Sequence, residues 1–140
     1  MALVVDTGPL FAAYDLSDQD HARCRDLLDS THEDLLLPAP VVVEFDWLTN
    51  PKVRNVPEAA LILMDDILAG AYSVVALTVE DYARCRELMQ RYAGSDIGFV
   101  DAAVLAVVER LKEPKLATLD GRHFGLLRPR HVSALRLLPG

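Results

Sequence analysis

The chain has 140 residues, 51% of them hydrophobic, and a formal net charge of −7 at pH 7, which predict one compact domain spanning residues 1–140 with a substantial buried core. No apolar run approaches the ~20 residues that cross a bilayer, and the start lacks a secretory signal, so we expect a cytoplasmic protein without a membrane segment. The negative net charge excludes a generally positive surface for binding nucleic acid. Cys24 and Cys85 lack the spacing of a zinc or redox site.

Five short apolar runs with strand character alternate with longer segments of helical periodicity. This alternation predicts an α/β fold in which helices cover a parallel sheet. Asp18 fits the N-cap of the first predicted helix, Pro57 fits the first turn of the third, and Thr78 with Asp81 resembles a capping box for the fourth. The predicted strands are ALVVD, DLLLP, YSVVAL, KLATLD and VSALRLL, and the predicted helices lie at about 18–30, 39–49, 56–69, 78–92 and 97–112.

Two of the apolar runs end on an aspartate that precedes a turn. Asp6 closes the first run before Thr-Gly-Pro, and Asp120 closes the fourth before Gly121. Ligands collect outside the carboxyl ends of parallel strands, so these two carboxylates can meet at one edge of the sheet. Taken alone, each residue also fits a turn or a helix cap, since Pro9 suits the first turn of a helix that follows Asp6.

Two further acids lie among the apolar residues of predicted helices. Glu44 shares the apolar stripe of Val41 and Phe45, whereas Asp46 lies about 200° around the same helix. Asp101 lies inside the apolar stripe of the last predicted helix. A carboxylate that faces the core is costly unless it is paired, hydrogen-bonded or bound to a metal. A buried salt bridge and a metal site would each explain these acids.

The four acids would destabilise the fold if they converged without a cation. Like charges ~4 Å apart repel by about 4 kcal/mol per pair at an effective dielectric constant near 20. An oxygen-only cluster without His or Cys suits Mg²⁺ or Mn²⁺, which bind a few carboxylates and retain water. Asp96 is a fifth candidate, although Ser95-Asp96 fits the N-cap of the next helix equally well. The predicted metal ligands are therefore Asp6, Glu44, Asp101, Asp120 and Asp96.

Four motifs, in this order, resemble those of PIN-domain ribonucleases, specifically the VapC-type toxins of VapBC toxin-antitoxin pairs. The motifs are VVDTGPL, VVVEF, SDIGFVDAAVLAVVER and ATLDGRHFGLLRP. Each is short, but together they span almost the whole chain with the spacing of the family. By this resemblance the family's acidic quartet falls on Asp6, Glu44, Asp101 and Asp120, and Asp96 matches a less certain fifth position.

The resemblance implies a PIN-like three-layer α/β/α sandwich whose central parallel sheet has four to five strands in the order 3-2-1-4-5. It also implies metal-dependent endonucleolytic cleavage of RNA, in which Mg²⁺ or Mn²⁺ activates a water for attack on the phosphate. Asp6, Asp101 and Asp120 would bind the metal directly or through water. Glu44 would bind the metal or orient the attacking water.

A basic C-terminal quarter offers contacts for the phosphates of RNA. Residues 110–140 hold seven Lys or Arg against two acids, a pattern that also fits ordinary solvated surface. The predicted substrate-binding residues are Thr7, Thr118, Arg122, Arg128 and Arg130, although strand packing explains Thr118 equally well. We expect His123 and His131 to assist binding or face solvent, and Trp47 and Tyr92 to pack in the core or against a partner.

The family also implies a VapB-like antitoxin as partner and a homodimer of the toxin. An antitoxin segment would lie in a groove beside the acids, and residues 39–69 would supply part of that groove. The amphipathic helices of this region fit such a groove, but packing within the chain would give the same pattern.

Three other classes of protein fit the sequence less well. A haloacid dehalogenase-type phosphatase needs a second aspartate two positions after Asp6, where Gly8 stands. A receiver domain needs an acidic pair after its first strand and an aspartate at the end of its third, which YSVVALT lacks. A non-catalytic interaction module leaves the inward Glu44 and Asp101 unexplained. The sequence therefore favours a metal-dependent endoribonuclease, with an interaction module as the alternative and a phosphotransfer domain less favoured.

Overall fold

The computed structural model describes every residue from Met1 to Gly140. It contains five short parallel strands and seven α-helices, with a 3₁₀ turn at Ala93–Ser95. None of the helices has the length and apolar character needed to span a membrane. The strands are β1 (Ala2–Val4), β2 (Asp34–Pro38), β3 (Ser73–Val75), β4 (Lys115–Ala117) and β5 (Arg136–Leu138), and the helices are α1 (Thr7–Tyr14), α2 (His21–Ser30), α3 (Ala39–Thr49), α4 (Ala59–Leu68), α5 (Val79–Arg91), α6 (Phe99–Arg110) and α7 (Gly121–Leu126).

β1 lies at the centre of the sheet because the chain adds strands first on one side of it and then on the other. β2 pairs with β1, with Leu3 opposite Leu35, and β3 pairs with β2. β5 pairs with β4, and a parallel bridge between Val5 and Ala117 joins the two halves. The order is therefore β3-β2-β1-β4-β5 in a three-layer α/β/α sandwich, as predicted. The strand order reverses between β1 and β4.

The central strand and α6 form the middle of the core. Val4 and Val5 are completely buried, and every α6 residue from Ala102 to Val108 is buried. A helix that is apolar on all sides must lie inside the protein, and α6 packs between α5 and α3. Asp101, in the first turn of α6, is therefore carried by a rigid element. Both cysteines are buried and unpaired.

Most predicted elements are confirmed, with helix ends that shift by one to three residues. The capping box of α5 is also confirmed: the Thr78 hydroxyl accepts from the Asp81 N–H, and the Asp81 carboxylate accepts from the Thr78 N–H. The cap prediction for Asp18 is wrong, because α2 begins after Asp20, and Asp18 instead accepts from the Asp20 N–H in the preceding turn. Pro57 lies before α4 rather than in its first turn.

The sequence does not predict α1 or α7, the helices that follow the two strands at the switch in strand order. α1 is almost uniformly apolar, so it shows no helical alternation of polar and apolar residues. α7 has six residues, which is too short for a periodic signal. Each helix begins directly after an aspartate, Asp6 or Asp120, whose side chain accepts a hydrogen bond from the first turn. The two unpredicted helices thus orient two of the predicted site residues.

Candidate active site

Asp6 is both a buried acid and the N-cap of α1. Its Oδ1 accepts a hydrogen bond from the Thr7 N–H and its Oδ2 accepts one from the Thr118 hydroxyl, both at 2.8 Å. Burial raises the pKa of the Asp6 carboxyl to about 7, although these hydrogen bonds favour the charged form. The negative charges of Asp101 and Glu44 raise it further. A cation beside these acids would restore the charged form.

Thr118 ties the two strand-end aspartates together. Its hydroxyl donates to Asp6 and accepts from the Asp120 N–H at 3.0 Å, and the residue is buried. The structure thus gives Thr118 a positioning role, and its contact with a substrate stays a prediction. Thr7, which lines the same cavity, has a buried hydroxyl without a hydrogen-bond partner.

His123 lies between Asp101 and Asp120. Its Nδ1 is 2.8 Å from Asp120 Oδ2 and 3.2 Å from Asp101 Oδ2. Neither contact is aligned as a hydrogen bond, so the buried Nδ1 has no hydrogen-bond partner. Asp120 Oδ1 caps α7 by accepting from the His123 N–H at 2.9 Å. The pKa of Asp101 is raised chiefly by burial; nearby His123 opposes that shift and Asp120 adds to it.

Glu44 reaches the site from α3, the helix that follows β2. This helix buries Phe45 in the core and leaves Glu44 half-buried at the cavity, whereas Asp46 is exposed. The charge of Glu44 contributes to the raised pKa values of Asp6 and Asp101, which shows that it lies within electrostatic range of both. The unusual position of Glu44 in the apolar stripe therefore places it beside the other acids.

The structure brings the four predicted acids together around one open cavity of about 960 Å³. The cavity lies at the carboxyl ends of β1 and β4, where the strand order reverses and where ligands of α/β sheets collect. Acids outnumber the cationic side chains that line it, so a polyanion would need a cation in place before it could bind. The lining acids are Asp6, Asp15, Asp18, Asp20, Glu44, Asp101 and Asp120, against a single Lys or Arg, which is Arg54.

The loop between α1 and α2 contributes three of these acids, which the sequence analysis does not select as site residues. Asp15 accepts hydrogen bonds from the Ser17 N–H and hydroxyl, Asp18 accepts from the Asp20 N–H, and Asp20 accepts from Arg23 Nε. These carboxylates are used to shape the loop. They add negative charge to the lining of the cavity.

Arg54 is the only arginine that lines the cavity, and the sequence analysis misses it. It lies in the loop between α3 and α4, with its guanidinium carbon 5.3 Å from the centre of the Phe11 ring. The closest carboxylate belongs to Asp18, at 3.9 Å, which is too long for a hydrogen bond. The guanidinium donors are therefore available for a phosphate. No local pattern marks this residue, because the position of a loop side chain depends on the tertiary fold.

Asp96 and His131 lie away from the acidic cavity. Asp96 is exposed at the end of the 3₁₀ turn, with a left-handed φ of 57°. The N-cap alternative for Asp96 is wrong, because Gly98 is the N-cap of α6. His131 Nε2 lies within hydrogen-bond distance of the Glu113 carbonyl. The role of Asp96 as a ligand stays a prediction that its position does not support.

The three predicted arginines also lie outside the lining of the cavity. Arg130 binds both carboxylate oxygens of Glu87, at 2.8 and 2.9 Å, on the α5 side of the molecule. Arg122 and Arg128 are exposed and have no acidic partner. The Arg128 N–H donates to the hydroxyl of Tyr92, which packs against the core. Of the three, Arg122 and Arg128 are therefore the ones whose guanidinium groups are free of an acidic partner.

An exposed apolar face adjoins the acidic cavity at Glu44. We define the apolar face by Val43, Trp47, Tyr82 and Phe99, which line a groove of about 740 Å³. The rings of Tyr82 and Phe99 stack with their centroids 6.0 Å apart, and Trp47 is 61% exposed. Trp47 therefore does not pack in the core, which leaves packing against a partner as its predicted role.

The sequence matches the model of the PIN domain family over residues 3–126, a span that includes all four acids. The chain belongs to the PIN domain family. This PIN domain is 29% identical over 127 residues to Ribonuclease VapC26 of Mycobacterium tuberculosis, in an alignment that covers 91% of this chain and 93% of that relative.

Solved structures show the same PIN fold. The crystal structure of VapC20 from Mycobacterium tuberculosis, a sarcin-ricin loop cleaving toxin, has a TM-score of 0.79 and 22% identity, and the match covers 94% of this chain and 98% of that one. VapBC2 from Rickettsia felis, bound to a DNA fragment from its promoter, has a TM-score of 0.67 and 16% identity, with 98% and 97% covered. The PIN fold predicted from the motifs is therefore confirmed.

Proposed function

We propose that this PIN domain is a divalent-metal-dependent endoribonuclease that acts as the toxin of a type II toxin-antitoxin pair. The observation that carries the proposal is the meeting of Asp6, Glu44, Asp101 and Asp120 around one cavity at the switch in strand order. The similarity to a protein named Ribonuclease VapC26 supports RNA as the substrate. Such an enzyme would act in the cytoplasm.

The donor set fits a hard divalent cation. Burial raises the pKa values of Asp6 and Asp101, a shift that a bound cation would oppose, and the buried His123 Nδ1 has no hydrogen-bond partner. We assign Asp6, Asp101 and Asp120 as direct or water-mediated ligands of Mg²⁺ or Mn²⁺, and Glu44 as a ligand or an orienter of the attacking water. When bound, such an ion lowers the pKa of a water and offsets negative charge on the phosphate. Asp96 is left out of this set because it is exposed outside the cavity.

Other side chains of the protein fix the positions of these acids and contact the RNA. The Thr118 hydroxyl fixes Asp6 and the backbone of Asp120, so that two ligands from different strands keep one spacing. In this proposal the half-buried Glu44 carboxylate accepts a hydrogen bond from the attacking water. Thr7 lines the cavity and its hydroxyl has no hydrogen-bond partner, so we keep it as a proposed contact of the substrate.

The RNA strand would cross the acidic rim with its flanking phosphates held by arginines. Arg54 offers unpaired donors inside the cavity, and Arg122 lies two residues after Asp120 on α7. A guanidinium binds phosphate through paired donors, which suits this task better than a point charge would. Arg128 would contact a phosphate farther along the strand. Arg130 would contribute less, because its side chain is bound to Glu87.

Cleavage of RNA by the purified protein tests the proposal. We expect cleavage with Mg²⁺ or Mn²⁺, none with EDTA, and none from Asp6→Asn or Asp101→Asn at saturating metal. Asp46→Asn is the matched control, since Asp46 is an exposed acid on the same helix as Glu44. Circular dichroism should show that all variants remain folded. Undiminished cleavage by either cavity variant would remove the catalytic assignment.

We also propose a homodimer and an antitoxin partner. The Rickettsia felis relative is a VapBC2 complex, which supports an antitoxin for this chain. The apolar face is suited to a second copy of the toxin, and the exposed Leu61 and Leu68 of α4 lie in the segment 39–69 expected to contact the antitoxin. Light scattering should give twice the 15.5 kDa chain mass for the wild type and a smaller mass for Trp47→Ala. A monomeric wild type would reject the dimer.

A further inference from the structure

His123 is a side chain that the sequence assigns to substrate binding or solvent and that the structure places against two of the predicted ligands. It lies in the first turn of α7, three residues after Asp120, and the Asp120 side chain accepts its backbone N–H. One turn of helix therefore fixes both side chains relative to each other. Asp101 approaches from the first turn of α6, the most deeply buried helix.

The imidazole lies within ion-pair distance of two carboxylates, yet its contacts with them do not fit an ordinary hydrogen bond. A protonated Nδ1 would point its N–H at a carboxylate oxygen, yet neither close oxygen is aligned with it, and Nδ1 is inaccessible to solvent. A buried polar nitrogen without a hydrogen-bond partner is costly, and a cation bound between the imidazole and the two carboxylates would satisfy it.

The spacing of the three groups matches a metal site. The Nδ1 separations of 2.8 and 3.2 Å from the oxygens of Asp120 and Asp101 lie on either side of about 3.0 Å, which is the spacing of adjacent ligand atoms around an octahedral ion with metal–ligand distances near 2.1 Å. Ligand atoms of Asp101, Asp120 and His123 all lie within 4.8 Å of one another. An ion at their centre would satisfy the lone pair of a neutral Nδ1 and both carboxylates.

We propose that His123 Nδ1 is a ligand of the metal ion held by Asp101 and Asp120, so that the centre is a mixed nitrogen and oxygen site rather than the oxygen-only cluster predicted from the sequence. This inference rests on the proposed metal-dependent function and deepens it. Imidazole binds transition ions well, whereas Mg²⁺ prefers oxygen ligands and retains its water. The chain should therefore bind Mn²⁺ in preference to Mg²⁺.

Electron spin echo spectroscopy of bound Mn²⁺ tests this directly, without RNA and without an activity readout. The full-length wild type loaded with Mn²⁺ should show nitrogen modulation, and labelling the histidines with ¹⁵N should change its frequencies. His123→Gln should lose the modulation and bind Mn²⁺ at least about tenfold more weakly by calorimetry, with a smaller loss for Mg²⁺. His32→Gln is the matched control, because His32 is exposed and lies outside the cavity.

The outcomes separate this inference from the proposed function. Wild type that binds Mn²⁺ and cleaves RNA but shows no histidine nitrogen on the metal would overturn the His123 assignment and leave the nuclease intact. Unchanged Mn²⁺ affinity in His123→Gln would overturn it as well. Wild type that binds neither metal and cleaves no RNA would remove both proposals.

Discussion

Replacing Asp6 with asparagine measures the electrostatic cost of the acidic cavity in the metal-free protein. The pKa of the Asp6 carboxyl is raised from 3.8 to about 7, chiefly by burial. The native state therefore binds this proton more tightly than the unfolded chain, so the stability of the wild type falls as the pH rises from about 4 to about 7. A shift of about 3 pKa units corresponds to about 4 kcal/mol lost by pH 8.

Asparagine removes the charge but also one hydrogen-bond acceptor. The carboxylate accepts from both the Thr7 N–H and the Thr118 hydroxyl, whereas the single amide oxygen can serve one of them well. That loss costs about 1.5 kcal/mol. Asp6→Asn should therefore be about as stable as the wild type at pH 5 and about 3 kcal/mol more stable at pH 8.

Urea unfolding followed by circular dichroism in EDTA provides the measurement. The difference in the free energy of unfolding between Asp6→Asn and the wild type should grow by about 3 kcal/mol between pH 5 and pH 8. The exposed Asp46→Asn control should show no such growth, and saturating Mn²⁺ should stabilise the wild type far more than the Asp6 variant. A variant less stable than the wild type at both pH values would refute the reasoning, because Asp6 would then be ionised and paired without metal.

Three further predictions concern charged residues in and beyond the cavity. Without metal, Asp101→Asn should leave the free energy of unfolding unchanged or raise it, because burial raises the pKa of Asp101. A loss of several kcal/mol in urea unfolding would instead indicate that Asp101 forms a buried ion pair. Arg54→Gln should weaken RNA binding and lower the slope of log affinity against log salt by about one. Arg86→Gln, on the exposed side of α5, is the control and should leave that slope unchanged. A slope for Arg54→Gln equal to that of the wild type would exclude Arg54 from the RNA path. Arg84→Ala should cost about 3–5 kcal/mol in urea unfolding, because Glu109 would lose a buried bidentate partner, and a cost below about 1 kcal/mol would contradict that account.

The helical acids were the most predictable part of the site. Glu44 and Asp101 interrupt apolar stripes, and burial of those stripes turns both carboxylates toward the interior. The alternation of strands and helices predicts a parallel sheet, whereas the order of its strands comes only from the resemblance to PIN domains. The strand-end position of Asp6 then follows from the topology.

The remaining parts of the site depend on tertiary contacts that no local pattern encodes. The place of His123 depends on α7, which is too short for a periodic signal, and Arg54 depends on the path of a loop. The sequence also does not show which basic residues of the C-terminal quarter are paired with an acid and which are free. Its charges look alike in the chain, but Arg130 is held by Glu87 and Arg122 is free. Whether a basic side chain is paired or free depends on the acids that other helices and strands place beside it.

The capping roles of the two strand-end aspartates explain how so acidic a site can be built. Asp6 and Asp120 each accept a hydrogen bond from the helix that follows, so forming α1 and α7 also orients both carboxylates before any metal arrives. Asparagine keeps an oxygen for the cap, whereas alanine removes it at a cost of about 1 kcal/mol. Loss of cleavage in Asp6→Asn with an intact fold would thus report the missing charge, while the extra loss of stability in Asp6→Ala would report the missing cap.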